Sequence, residues 1–232
     1  MKLISLNVEL NRHKETVLNF LKKEKPDVFC AQELLEDDFE EYKRELGIEG
    51  VFQFQTLVTY FHYDEIKGKK QGIGIFAEKI VSTGISYYEE NENVRRSLLW
   101  ADVLDDDGKT MRFTTAHPPV TKEGEVTELQ LEVIDSLIEK LQSLGEFIFC
   151  GDMNAPRGKE SFARFSKKFI DNIPSEYETS IDQNLHRVKG IKFMVDGLFT
   201  TPLYKSSNVK LVDGVSDHMA IVAEIESGNY LR

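Results

Sequence analysis

The sequence predicts two layers of mostly antiparallel strands with helices on the outside, a class that mixes α and β elements. Short apolar or β-branched runs recur from end to end, and most stop at a glycine or a cluster of small polar residues. Four segments carry helical spacing and lie between these runs. No repeat, linker or low-complexity stretch interrupts the chain, so residues 1–232 read as one domain. That is long for one unit, but layered β folds reach this size.

The first strand is expected over Lys2 to Val8. A helix follows over Lys14 to Lys23, with Val17, Leu18 and Leu21 at helical spacing and Pro26 closing it. Val28 to Ala31 is the second strand, ending in Gln32-Glu33, and Glu36 to Leu46 a strongly charged helix. Aromatic and β-branched residues mark Phe52 to Phe61 as a strand. A charged loop, Asp64 to Gln71, leads to Gly72-Ile73-Gly74-Ile75-Phe76, a strand whose glycines imply close backbone packing. Further strands fall at Ile80 to Tyr88, Ser97 to Val103 and Met111 to Ala116, the last two joined by a tight turn at Asp105 to Gly108. His117-Pro118-Pro119 ends that hairpin. A long helix is predicted from Glu125 to Leu144, with Leu129, Val133, Leu137 and Leu141 as its buried stripe and Gly145 as its cap. Phe147 to Cys150 is a buried strand that stops at Gly151. A short helix, Lys159 to Lys167, precedes a polar stretch, Ile173 to Gly190, read as a loop over the site. Strands at Phe193 to Phe199, Val209 to Val212 and Ala220 to Ile225 complete the chain.

Composition bounds the function. Apolar residues make up 41% and charged residues 30%, which fits a globular protein with a full core. No window approaches the roughly 20 apolar residues of a membrane span. The N-terminus lacks a stretch of signal-peptide character, so a cytoplasmic location is expected. Cys30 and Cys150 lie inside apolar strands and read as packing residues. A net charge of −11 argues against a protein that coats nucleic acid, but not against an enzyme that grips one phosphate through a metal ion.

Polar residues able to reach a phosphate or a divalent ion recur at the strand ends: Asn7 and Glu9, Glu33, Asp152 and Asn154, and Ser216-Asp217-His218. Asp152 and Asn154 are one residue apart on extended backbone and so project to the same side. Taken alone, the pair also fits an Asx turn, His218 a structural histidine and Glu33 a surface carboxylate. Arg96 and Arg157 are candidate substrate contacts. Trp100 and most of the phenylalanines read as core.

In order along the chain, Asn7 and Glu9, Gln32-Glu33, His117, Gly151-Asp152-Met153-Asn154, Asp196 and Ser216-Asp217-His218 resemble the motifs of the endonuclease/exonuclease/phosphatase superfamily. The resemblance runs from about residue 3 to residue 226. It implies a four-layered α/β/β/α sandwich like that of deoxyribonuclease I, and metal-dependent hydrolysis of a phosphate ester. It also implies Mg²⁺, with Mn²⁺ as a substitute, near Glu33, Asn7, Asp217 and Glu9. By the same likeness Asp152 directs the attacking water, Asn154 holds a phosphate oxygen, and His218 contacts the phosphate with Asp196 orienting it. His117 faces the phosphate. Glu9 stands where the repair endonucleases have Asp, and Gly197 follows Asp196 where tyrosine is common, which leaves Asp182 as a rival to Asp196.

The expected function is therefore a monomeric Mg²⁺-dependent phosphodiesterase, a nuclease acting on DNA or RNA. A phosphatase or phospholipid-type diesterase is the alternative, and a non-catalytic binding module of the same fold is the third reading.

Overall fold

The computed structural model of the chain describes residues 1–59, 64–90 and 94–228. Along the chain run β1 (Lys2–Asn7), α1 (Lys14–Glu24), β2 (Val28–Leu35), α2 (Glu36–Leu46), β3 (Glu49–Leu57), β4 (Lys70–Ala77), β5 (Ile80–Glu90) and β6 (Arg95–Leu104). They are followed by β7 (Thr110–Thr115), α3 (Glu128–Ser143), β8 (Ile148–Asp152), α4 (Glu160–Ser166), β9 (Ile170–Asp171), β10 (Asp196–Thr200), β11 (Tyr204–Val212) and β12 (Ala220–Ser227). Among the described residues the strands form two six-stranded sheets, ordered β11-β12-β1-β2-β4-β3 and β5-β6-β7-β8-β10-β9.

Each sheet contains one parallel pair, β1 with β2 and β7 with β8, and is otherwise antiparallel. Both parallel pairs are joined by a crossover helix, α1 in the first sheet and α3 in the second. The central strands are buried on both faces, which explains their unbroken apolar runs. Leu3, Cys30 and Ile75 of the first sheet meet Leu99, Phe113, Cys150 and Leu198 of the second in a shared core. Outside the first sheet, Val17 and Leu21 of α1 and Tyr42 of α2 cover Ile4, Phe29 and Phe76. Outside the second, Leu137 and Leu141 of α3 and Phe165 of α4 cover Phe149 and Phe199. The result is the four-layered α/β/β/α sandwich.

Several elements differ from expectation. Leu129 is 64% exposed, and the buried face of α3 is Gln130, Val133, Ile134, Leu137, Ile138 and Leu141. The helix begins only at Glu128, after Thr127 accepts the backbone N–H of Gln130, so Leu129 lies in the first turn, where Gln130 takes the inward position. The third strand starts earlier, at Glu49, and the predicted end at Phe61 lies outside the described residues. β11 begins earlier, at Tyr204, because the polar stretch Tyr204 to Ser207 also pairs with β12, with a bulge between Ser207 and Lys210. Trp100 is half-buried beneath the Arg112 guanidinium, 4.5 Å from its ring centre, rather than in the core.

The glycines of the β4 run behave as expected. A Cβ at Gly74 would come within 3.0 Å of Leu34 and Phe76, and one at Gly72 would collide with the Gln53 carbonyl. At Gly151 an added Cβ would lie 2.5 Å from the Ala116 carbonyl, so only glycine lets the end of β7 approach β8 at the mouth of the site.

Candidate active site

The strands of both sheets end at one cleft of about 320 Å³ that straddles the seam between them. β1 delivers Asn7, and the turn after it delivers Glu9. On β2, a bulge between Ala31 and Leu34 turns Glu33 toward the cleft, with its backbone at φ 52°. β8 ends on Asp152, β10 begins on Asp196 directly opposite it, and the segment before β12 brings Asp217 and His218. Gln32 ties the sheets together through an Nε2 hydrogen bond of 2.9 Å to Thr115 Oγ1.

Asp152 is the centre of the hydrogen-bond network. Its Oδ2 accepts from Asn7 Nδ2 at 3.1 Å, and its Oδ1 accepts from the backbone N–H of Asn154 at 2.9 Å. The second bond is an Asx turn, so the structural and functional readings of this pair describe the same geometry. Asn154 in turn donates from Nδ2 to the Pro118 carbonyl at 3.0 Å and is steadied by Gln130, whose Nε2 donates to the Asn154 carbonyl at 2.9 Å.

Two histidines flank Asp152. His117 Nε2 lies 3.5 Å from Asp152 Oδ2 and 3.7 Å from Glu33 Oε1. His218 Nε2 lies 3.8 Å from Asp152 Oδ2, while its Nδ1 is 2.8 Å from Asp196 Oδ2. Burial works against a charged imidazole, yet Asp196 and Asp152 on either side hold the His218 pKa well above the ordinary histidine range. Burial likewise disfavours ionised Asp152, but His218 and His117 overcome it and keep that carboxyl well below its usual range. In Asp196 burial wins and raises the pKa. These neighbours favour the charged form of the buried His218 ring, whose Nδ1 is bonded to Asp196 and whose Nε2 lies 3.8 Å from Asp152.

Asp182 takes a different part. Its Oδ1 accepts the backbone N–H groups of Asn184 and Leu185, and its Oδ2 accepts that of Gly214 at 2.6 Å, which pins the loop to the β11–β12 turn. Asp196, not Asp182, is bonded to His218.

The other end of the site is rich in acid. Asp217 is pushed up to about 7 by burial, with Glu9 and Glu33 adding to the shift. These oxygen donors, crowded together with excess negative charge, fit a hard divalent cation. Glu9 also serves the loop, since its two oxygens face Arg12 at 3.4 Å and His13 at 2.9 Å. Asp152, Asp196 and His218 offer ligand atoms within 4.8 Å of one another, but their closeness is accounted for by the charged His218 bridging two carboxylates.

Of the two arginines, Arg96 lines the cleft, with Nε 3.1 Å from Glu89 and Nη1 donating to the His117 carbonyl at 3.0 Å. Arg157 does not line it. Its guanidinium donates to Asp171 Oδ2 at 2.9 Å and to the carbonyls of Ile173, Pro174 and Tyr177, clasping the segment that follows β9. The predicted covering loop contributes Ile181, His186 and Arg187 to the cleft wall. Gln55, Gln71 and Thr121 also line it. Pattern reading passed over them, because no residue type or spacing marks them.

The sequence model of the Endonuclease/Exonuclease/phosphatase family matches residues 4–218, most of the chain. The chain belongs to this family. Solved structures share the family fold at low identity. The catalytic domain of human Nocturnin with bound sulfate is 14% identical with a TM-score of 0.77, the match covering 98% of this chain and 93% of that one. The mannosyl-6-phosphatase of Bacteroides thetaiotaomicron VPI-5482 is 16% identical with a TM-score of 0.70, over 97% and 99% of the two chains. TDP2 of D. rerio, complexed with a single-strand DNA product, is 18% identical with a TM-score of 0.71, over 98% and 99%. No curated protein matches the chain. Among the described residues no helix is long and apolar enough to cross a membrane.

Proposed function

We propose that the chain is a divalent-metal-dependent phosphoester hydrolase that cleaves by direct attack of water. The observation that carries the reading is the Asp196–His218–Asp152 array, in which a buried imidazolium fixed at Nδ1 presents Nε2–H to the cleft beside an ionised carboxylate. Nε2–H donates to a phosphate oxygen, and Asp152, oriented by Asn7 and the Asn154 N–H, accepts a hydrogen bond from the attacking water. His117, within reach of both Asp152 and Glu33, lies between the water side and the metal side of the site. Glu33, Asp217 and Asn7 would hold the cation, which when bound neutralises phosphate charge and stabilises the leaving oxygen. Mg²⁺ suits this set because it is usually held by only one or two carboxylates and keeps several waters.

Within this reading we assign a nuclease-type diesterase acting on a single strand or a nucleotide-sized diester. A cleft of about 320 Å³ suits a group of that size, and a net charge of −11 opposes sequestration of long duplex. The same acidity supports the second reading, a phosphatase for small phosphoesters.

The test is hydrolysis of single-stranded DNA, RNA and small phosphoesters in Mg²⁺, Mn²⁺ and EDTA, with Asp152→Asn and His218→Ala as comparisons. Metal-dependent turnover that falls at least 100-fold in both folded variants is the expected result. Turnover in EDTA equal to that in Mg²⁺, or variants as fast as the parent, would overturn it.

A further inference from the structure

Three consecutive residues of the covering stretch, Ser180, Ile181 and Asp182, are bonded both to the chain just before β10 and to the segment that enters β12. Ser180 donates its N–H to the Phe193 carbonyl at 3.0 Å, and its own carbonyl accepts the Met219 N–H at 2.7 Å. Ile181 forms an isolated antiparallel bridge with His218, and Asp182 donates its N–H to the Asp217 carbonyl at 2.9 Å. Backbone bonds thus hold this stretch against the two segments that carry Asp196 and His218.

The Ser180 side chain is fully buried and, unlike Ile181, does not line the cleft. Its Oγ accepts the backbone N–H groups of Val195 and Asp196, each at 3.1 Å. A serine hydroxyl offers two acceptor positions and one proton. With both positions filled by backbone donors, the proton is left to donate, and it goes to the Asp196 carboxylate. Asp196 Oδ2 in turn meets His218 Nδ1 at 2.8 Å. An aspartate held only by that bond could turn about its Cβ–Cγ axis, a soft torsion, and would carry the ring direction with it. A second bond from a hydroxyl that is itself fixed by two backbone donors removes this freedom.

We propose that Ser180 is a positioning residue of the hydrolase: its hydroxyl holds the Asp196 carboxylate in the orientation that aims His218 Nε2 at a phosphate oxygen. The proposal rests on the phosphoester-hydrolase reading and adds to the Asp196–His218 pair a third member supplied by the covering stretch. Ser180 acts through Asp196 and does not line the cleft, so its removal slows the chemical step and leaves substrate binding nearly unchanged. A serine that served only to cap the Val195 and Asp196 N–H groups would alter activity to the same extent whether or not the Asp196 carboxylate is present.

The experiment measures kcat and KM in Mg²⁺ on bis(p-nitrophenyl) phosphate or a single-stranded oligodeoxynucleotide, whichever the wild type hydrolyses faster. Ser180→Ala is expected to lower kcat about tenfold or more while KM changes less than about threefold. Ser180→Thr, which keeps the hydroxyl, should retain about a third or more of the wild-type kcat. In an Asp196→Ala background, Ser180→Ala should lower kcat by less than about twofold further, because the carboxylate it orients is gone. Equal losses in the two backgrounds, a Ser180→Ala protein as fast as the wild type, or a raised KM with kcat unchanged each overturn the positioning role and leave the hydrolase reading standing. No metal-dependent hydrolysis by the wild type of either substrate or of small phosphoesters overturns both. If Ser180→Ala does not fold, as judged by circular dichroism, Ser180→Cys takes its place, since its S–H is only a weak donor, and should show the same loss. If Asp196→Ala turns over too slowly to measure, Ser180→Thr decides, and a threonine variant no faster than the alanine variant overturns the proposal.

Discussion

Three side chains of the cleft stand on backbone that L-residues avoid. Glu9, Glu33 and Asn154 have φ of 47°, 52° and 49°. Non-glycine residues in this region cost about 1–2 kcal/mol each, and such strain collects where a side chain must be aimed at a site. Glu33 allows the cost to be measured. Both Glu33→Ala and Glu33→Gly remove the carboxylate, but only glycine relaxes the backbone. We expect Glu33→Gly to be more stable than Glu33→Ala by about 1 kcal/mol in urea unfolding, the reverse of the order usual inside a strand. Equal stabilities would show that the bulge carries no strain. At this scale the sequence was only partly legible. Asp152, His218 and Glu33 stand out in the sequence because each sits where an apolar run breaks, whereas Asp196 lies inside the predicted Phe193 to Phe199 strand and is marked only by the family resemblance. Arg157 adjoins Asp152 in the chain, but its donors reach back to residues 171–177, because adjacency along a turn does not set side-chain direction. Gln71 and Thr121 carry no local signal, since their placement depends on how β4 pairs with strands and loops distant in sequence.

Among the elements, the helices and central strands were the most readable, because burial on one or two faces writes a period into the sequence. The failures fall at element ends and edges. Leu129 continues the spacing of the α3 stripe, but in the first turn the inward position belongs to Gln130, whose amide supports Asn154. The β6–β7 hairpin shows what paired strands use where a face is not covered by apolar side chains. Arg112 Nε and Nη2 grip Asp102 at 2.7 and 2.9 Å across the paired strands, and Ser82 from β5 adds a bond of 2.7 Å to the same carboxylate. The Arg112 bond is the main reason that the Asp102 pKa lies below its ordinary value, with burial opposing. A carboxyl lowered in the folded state stabilises the protein above its unfolded pKa, about 4, and that contribution disappears as pH falls through the folded value. Asp102→Asn is therefore expected to cost about 1 kcal/mol at pH 7, allowing for partial exposure, and much less at pH 3. Chemical denaturation of both proteins at the two pH values checks this. A difference that persists unchanged at pH 3 would assign the effect to shape rather than charge.

In the whole molecule, the cleft belongs to neither sheet alone. Asn7 and Glu33 come from the first sheet, Asp152 and Asp196 from the second, and Asp217 with His218 from the segment that enters β12. The sheets share one core through Leu3, Cys30, Phe113 and Cys150, and Gln32 bonds across them at the site. We accordingly propose that the described chain unfolds as one unit, with coincident near- and far-ultraviolet circular dichroism transitions. The acidic end of the cleft adds a second consequence. Burial, with Glu9 and Glu33 adding to the effect, pushes Asp217 up to about 7, so a cation bound beside it would offset the cost of ionising it. A ligand that binds only the folded state stabilises it by about 2.7 kcal/mol at 100 times its Kd, which for a protein of this size corresponds to roughly 5–10 °C in Tm. Mg²⁺ or Mn²⁺ at saturating concentration should therefore raise Tm by that amount, and EDTA should reverse it. Glu33→Gln, which keeps the shape and removes one charge, should melt at or above the metal-free parent and respond little to the ion. A parent whose Tm ignores divalent cations, or a Glu33→Gln protein that responds as strongly as the parent, would place the ion elsewhere. Because this measurement requires no substrate, it tests the metal assignment independently of which phosphoester the cleft accepts.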